Sequence, residues 1–163
     1  MNRDIAYNLL IIMNMNELQK ACLIDKHFLN IGQSKFFWID KFKYDHLVII
    51  NEQLTINEWI KEYNKVNYAT REAEIVIYNC RNMATLSISL PKKVMSKLPD
   101  FIIEWTNYII VGSEDIIIAG ENQEYKLTFP QFKYLLLIIL YYNPEQEITD
   151  IDDWDDSYRE LRF

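Results

Sequence analysis

RDIAYNLLIIMNMNELQKACLIDKHFLNIGQSKFFW (Arg3–Trp38) reads as three short helices joined by minimal turns. Asp4–Ile5 opens a helix whose apolar positions are Ile5, Leu9, Ile12 and Met13. Asn14 is placed to cap a second helix, with Glu17 three residues on as its reciprocal partner. Leu18, Ala21, Cys22, Leu23 and Ile24 then supply a buried face, and Asp25–Lys26 marks a break. Phe28, Leu29, Ile31 and, after the Gly32–Ser34 turn, Phe37–Trp38 close the unit. None of these residues forms a reaction centre; together they make a small helical packing unit.

Outward from that stretch, Thr55 and Glu58 form a capping box that starts a helical block over about residues 55–82. Ile56, Trp59, Ile60 and Tyr63 repeat at helical spacing, and Ala69, Ala73, Val76, Ile77 and Cys80 continue the stripe. This predicts either two helices or one long kinked helix, with Trp59 and Tyr63 packing against the first unit. The pattern changes at Ala84, where Leu86, Ile88 and Leu90 alternate with polar residues as in a half-buried strand. Pro91 suits the first turn of a short helix. Phe101–Val111 reads as a strand, with Asp100 equally able to cap a helix, and Asp115–Ala119 and Glu124–Leu127 flank a hairpin turn. Thr128 and Gln131 cap a strongly apolar helix that stops before Asn143–Pro144. The expected class is α+β: an N-terminal helical bundle over residues 1–46, a helical block over 47–83, a small mainly antiparallel β layer covered by a helix over 84–144, and an acidic tail over 145–163.

The order of residues in the first stretch resembles the F-box. The matching positions are Asp4–Ile5, Leu9–Leu10, Met13, Asn14, Leu18, Leu23–Ile24, Lys26, Phe28, Ile31 and Trp38, and they superpose without insertion or deletion. Met1–Asn2 stands where that family has Leu-Pro, and Asp25 where it usually has Cys. A Trp-x-x-x-Tyr helix after such a start, Trp59 to Tyr63 here, is similar to the arrangement in F-box-containing proteins of large DNA viruses. The abundance of Ile, Asn, Lys and Tyr agrees with an AT-rich coding genome. The resemblance implies that residues 4–38 dock on the small adaptor subunit of cullin–RING ubiquitin ligases, while residues 84–163 choose the target. Ile5, Leu9, Leu10, Leu18, Ile24, Lys26 and Phe28 are the partner-binding candidates, and Trp38, Trp59 and Tyr63 the structural ones. Each apolar candidate serves either the interface or the module's own core, and the sequence leaves both open.

Composition bounds the alternatives. The chain has 163 residues, half of them apolar, enough for one good core or two small ones. Its two cysteines, Cys22 and Cys80, suit a reducing compartment better than a disulfide framework. The start carries Arg3 and Asp4 with no small-residue cleavage site, which predicts no secretory leader. The apolar run Tyr134–Tyr142 falls short of the ~20 residues a membrane span needs. An intracellular, cytoplasmic protein is expected, in host cytoplasm or a viral factory if the origin is viral. Net charge is −7, and residues 145–163 hold most of it, with eight acids against Arg159 and Arg162. The body lacks a basic stripe, which argues against nucleic-acid binding.

Candidate chemistry is sparse. His27 and His46 have no Ser, Cys or carboxylate at triad or metal-site spacing, and His27 reads as a surface residue. Gly32, Gly112 and Gly120 are isolated, so no phosphate-cradling loop is expected. Asp150, Asp152 and Asp153 lack the glycine and terminal Glu of a calcium loop. No cofactor, metal or enzymatic activity is expected. Two functional classes remain: an F-box-type adaptor, or a non-enzymatic viral structural protein that self-assembles and keeps a relic F-box-like fold. The tail reads as a solvated extension, or as a short helix whose Trp154 face docks.

Overall fold

The computed structural model describes residues 3–79, 84–87, 105–111, 116–120, 124–146 and 148–150. Six helices occur among them: α1 (Arg3–Ile12), α2 (Met15–Ile24), α3 (Lys26–Gly32), α4 (Lys35–Tyr44), α5 (Ile56–Asn79) and α6 (Phe129–Tyr142). Five strands, β1 (Ala84–Ser87), β2 (Trp105–Val111), β3 (Ile116–Gly120), β4 (Glu124–Leu127) and β5 (Thr149–Asp150), form one sheet in the order β4-β3-β2-β1-β5. The protein is α+β. The chain groups into two compact units, Met1–Thr70 and Arg71–Phe163, whose boundary falls inside α5.

Local signals explain where the helices of the first unit begin and end. Asn14 accepts from the Glu17 amide at 3.0 Å, and Glu17 accepts from the Asn14 amide at 3.1 Å, a complete capping box for α2. Asp25 then ends α2 and starts α3, its carboxylate accepting from the His27 amide at 2.6 Å. The expected break at Asp25–Lys26 is therefore a direct helix-to-helix junction. Four helices, rather than three, fill residues 3–44, because the Gln33–Ser34 step separates α3 from α4. The C-terminus of α4 closes as a Schellman motif: the Leu47 amide donates to Phe42 O at 2.8 Å and the His46 amide to Lys43 O at 3.2 Å. That geometry holds His46 at φ 56, the left-handed conformation usually given to glycine.

Burial corrects the expected faces. On α1 the buried residues are Ala6 and Leu10, whereas Ile5, Leu9 and Ile12 are exposed. On α2, Met15, Leu18 and Cys22 are buried, but Leu23 and Ile24 lie outside. The aromatic residues of α4 account for the difference. Phe37, Trp38 and Phe42 are buried at the centre of the unit, and Ala6 and Leu10 are the α1 residues buried with them.

In the second unit every strand pair is antiparallel. β3 and β4 pair from Ile116↔Leu127 to Ala119↔Glu124, as the hairpin reading requires. β1 sits between β2 and β5, with Leu86 opposite both Ile109 and Asp150. Within the acidic segment, Thr149 and Asp150 are thus a two-residue strand. Residues 151–163, Cys80 and the Pro91 region lie outside the described residues. α6 carries a Thr128/Gln131 capping box and is buried continuously from Leu135 to Tyr141, on all its sides. Lys133 of α6 pairs with Glu74 of α5 at 2.6 Å.

Two substitutions test this geometry. A Cβ on Gly32 would lie 2.7 Å from Ile56 Cδ1 and 3.0 Å from Cys22 Sγ. The near atom is the free end of half-buried Ile56, so Gly32→Ala should cost no more than about 1 kcal/mol, read as a slightly lowered Tm, and Ile56→Val in the same chain should recover it. His46→Gly should raise stability by about 1 kcal/mol, because it removes the left-handed strain from a side chain that is exposed.

Candidate protein-interaction surface on the helical module

A chain of aromatic rings holds the module shut. Tyr7 meets Phe37 edge-on at 5.7 Å, Phe37 meets Trp38 at 5.4 Å, and Trp38 stacks on Trp59 of α5 at 5.9 Å and 8°. Phe42 then contacts Trp59 at 6.0 Å and Tyr63 at 5.4 Å. The Trp38 indole N–H would be orphaned in this interior, and it donates to Gly32 O at 2.8 Å. Trp38 and Trp59 are therefore core residues, as the sequence predicts, and half-buried Tyr63 closes the chain of rings.

Lys41 has no precedent in the sequence reading. Its side chain is 2% exposed, and its ammonium donates to Ile11 O at 2.7 Å, Met13 O at 2.8 Å and Asp45 Oδ2 at 2.8 Å. The rings of Tyr44 and Tyr63 lie 5.8 and 5.7 Å from it. Asp45 also accepts from the Tyr63 hydroxyl at 2.8 Å. The available signal was a lone lysine among Phe37, Trp38 and Phe42 on one helix face, with an acid four residues later.

With the interior closed by these groups, the partner-binding candidates separate. Leu10 and Leu18 are wholly buried and belong to the core. Phe28 is half-buried, and its carbonyl lies 3.5 Å from the Cys22 thiol. Ile5 (54% exposed), Leu9 (37%) and Ile24 (85%) face outward, as does Lys26. Ile12 joins Ile5 and Leu9 on the same face of α1 at the i, i+4, i+7 spacing, and Leu23 adjoins Ile24 at the end of α2. These five apolar side chains contribute little to the module's core. They form the candidate interaction surface.

Burial and hydrogen bonds shift several titratable groups. Burial, then the hydrogen bond to Asp45, pushes the Tyr63 hydroxyl above its ordinary range, and burial with Asp40 does the same for Tyr7. Burial raises the Cys22 thiol. Hydrogen bonds from Thr55 lower the Glu58 carboxyl at the start of α5. Among the described residues no group of three or more His, Cys, Asp or Glu could hold a metal ion, and no helix is long and apolar enough to cross a membrane. Comparison with protein-family models, with curated proteins and with solved structures finds no match.

Trp38→Ala should destabilise the first unit by ~3–5 kcal/mol in a chemical melt, and Trp38→Phe should cost less. Tyr63 gives a pH signature. Its folded-state pKa is raised, so its contribution is complete below the ordinary value of 10.0 and is lost as pH rises through the folded pKa. The stability difference between the wild type and Tyr63→Phe should therefore be constant from pH 7 to about 9 and shrink above about 10. A difference that grows with alkaline pH would contradict the Tyr63–Asp45 hydrogen bond.

Proposed function

We propose that the chain is an F-box-type protein–protein interaction adaptor. In this reading residues 4–38 dock on the small adaptor subunit of a cullin–RING ubiquitin ligase, and the region from residue 84 onward engages the target. The gapless order of residues from Asp4 to Trp38 supports it. The observation that carries it is the outward placement of Ile5, Leu9 and Ile24 on a module whose interior is already filled by Leu10, Leu18, Phe37, Trp38 and Trp59. Helix-face aliphatics of this kind suit helix-to-groove association, in which a few apolar anchors dominate affinity.

The test is binding of purified ligase adaptor subunit to the full chain. Ile5→Gln, Leu9→Gln and Ile24→Gln together should weaken binding at least about 100-fold while shifting stability by no more than about 0.5 kcal/mol per site. Gln keeps helix propensity near that of the residues it replaces. Leu10→Asp should instead unfold the module. If the wild type binds no adaptor at micromolar concentration and sediments as an oligomer, the self-assembling viral protein becomes the better reading.

A further inference from the structure

A second feature of the module is independent of the α1 and α2 aliphatics. Between α1 and α3 lies a half-open cleft of about 350 Å³ lined by Tyr7, His27, Asn30, Ile31 and Ser34. Four of these recur at helical spacing along α3 and its end, so one face of that helix forms the wall, and buried Ile31 makes it partly apolar. The volume lies at the small end of the range for ligand sites.

The polar groups of this cleft have hydrogen-bonding capacity to spare. The Ser34 hydroxyl makes no capping bond although Ser34 precedes α4, and the Asn30 carboxamide engages no side-chain or backbone partner among the described residues. His27 Nε2 is buried and has no partner, an arrangement native interiors rarely keep. The Tyr7 hydroxyl donates to Asp40 at 2.6 Å and so keeps its oxygen able to accept. The lining contains no Lys or Arg, and the Asp40 carboxylate stands one hydrogen bond behind Tyr7, which disfavours an anion. Apolar surface adjoins the cleft. Phe36 is 77% exposed two residues beyond Ser34, and its carbonyl lies 3.5 Å from the Tyr7 hydroxyl.

We propose that this cleft binds an uncharged amide group of a partner polypeptide, an Asn or Gln side chain, whose apolar neighbour rests on Phe36. A carboxamide offers both donors and an acceptor, which Asn30, Ser34 and the Tyr7 oxygen can match. A carboxylate of the same shape lacks the donors and meets the field of Asp40.

The experiment titrates the ¹⁵N-labelled full chain with three probes: N-acetylglutamine methylamide, N-acetylglutamate methylamide and N-acetylleucylglutamine methylamide. The resonances of the Asn30 carboxamide and the His27 imidazole report binding. Both glutamine probes should shift them saturably, the leucyl form more tightly, and the glutamate probe should bind at least about fivefold more weakly. Asn30→Ala should weaken the glutamine probe about fivefold with an unchanged melt. Phe36→Ala should remove only the leucyl advantage, and Asp40→Asn should narrow the discrimination against glutamate. The proposal is overturned by non-saturable shifts, by glutamate binding as well as glutamine, or by an Asn30→Ala variant that binds like the wild type. Equal binding of the two glutamine probes overturns the polypeptide assignment.

Discussion

One buried ammonium organises the helical module. The Ile11 carbonyl in the last turn of α1 and the Met13 carbonyl just beyond it fall where the helical hydrogen-bond ladder has ended, and both residues are half-buried. Lys41 reaches them from α4, and its three donors are consumed by Ile11 O, Met13 O and Asp45. The charge sits at the negative end of the α1 dipole, the favourable end for a cation. Asp45 neutralises it and is held in turn by Tyr63. Burying a charge is tolerable only with this degree of satisfaction. An apolar residue of similar length would fill the volume and leave two carbonyls and a carboxylate without their shared donor. The α1–α4 contact and the approach of α5 at Tyr63 thus converge on one nitrogen.

The rings around that nitrogen determine what is left over. Edge-on and stacked pairs from Tyr7 to Tyr63 fill the interior with flat, stiff side chains. Flat groups leave narrow spaces, and Ala6, Cys22 and Gly32 occupy them. At Gly32 the neighbours are so close that a single methyl group would collide with Ile56. Inside, α1 and α2 place Leu10, Met15 and Leu18, and the helices turn Ile5, Leu9, Leu23 and Ile24 outward. The aromatic core and the aliphatic surface are one consequence of the same packing.

Local signals in the sequence were legible, and choices between faces were not. The capping boxes at Asn14/Glu17, Thr55/Glu58 and Thr128/Gln131 depend on residues three apart and appear as read. The β3–β4 pairing follows from the same kind of short-range pattern. On α1, by contrast, Ile5/Leu9 and Ala6/Leu10 are neighbouring stripes at the same spacing. Hydrophobicity favours the first, but the bulk contributed by α4 selects the second, and that information lies thirty residues away. The pairing of Thr149–Asp150 with β1 is non-local too, and charge composition hid it. Lys41 was missed because a lysine is ordinarily solvent-facing, and only the α1 carbonyls make its burial sensible. His27, read as a surface residue, instead has its Nε2 buried without a partner.

Single exposed aliphatics need no explanation on a protein surface. Three on one helix face at i, i+4 and i+7, with two more ending the next helix, are a different matter, since each keeps apolar area in water that polar residues could replace without loss to the core. The buried stripe Ala6/Leu10 and the exposed stripe Ile5/Leu9/Ile12 share one short helix but answer to different constraints. The first is fixed by Phe37 and the Lys41 junction. The second is free of the fold and can change with whatever it touches. In the adaptor reading this separation allows partner affinity to be tuned on α1 while the ring chain and the buried lysine hold the helix in place.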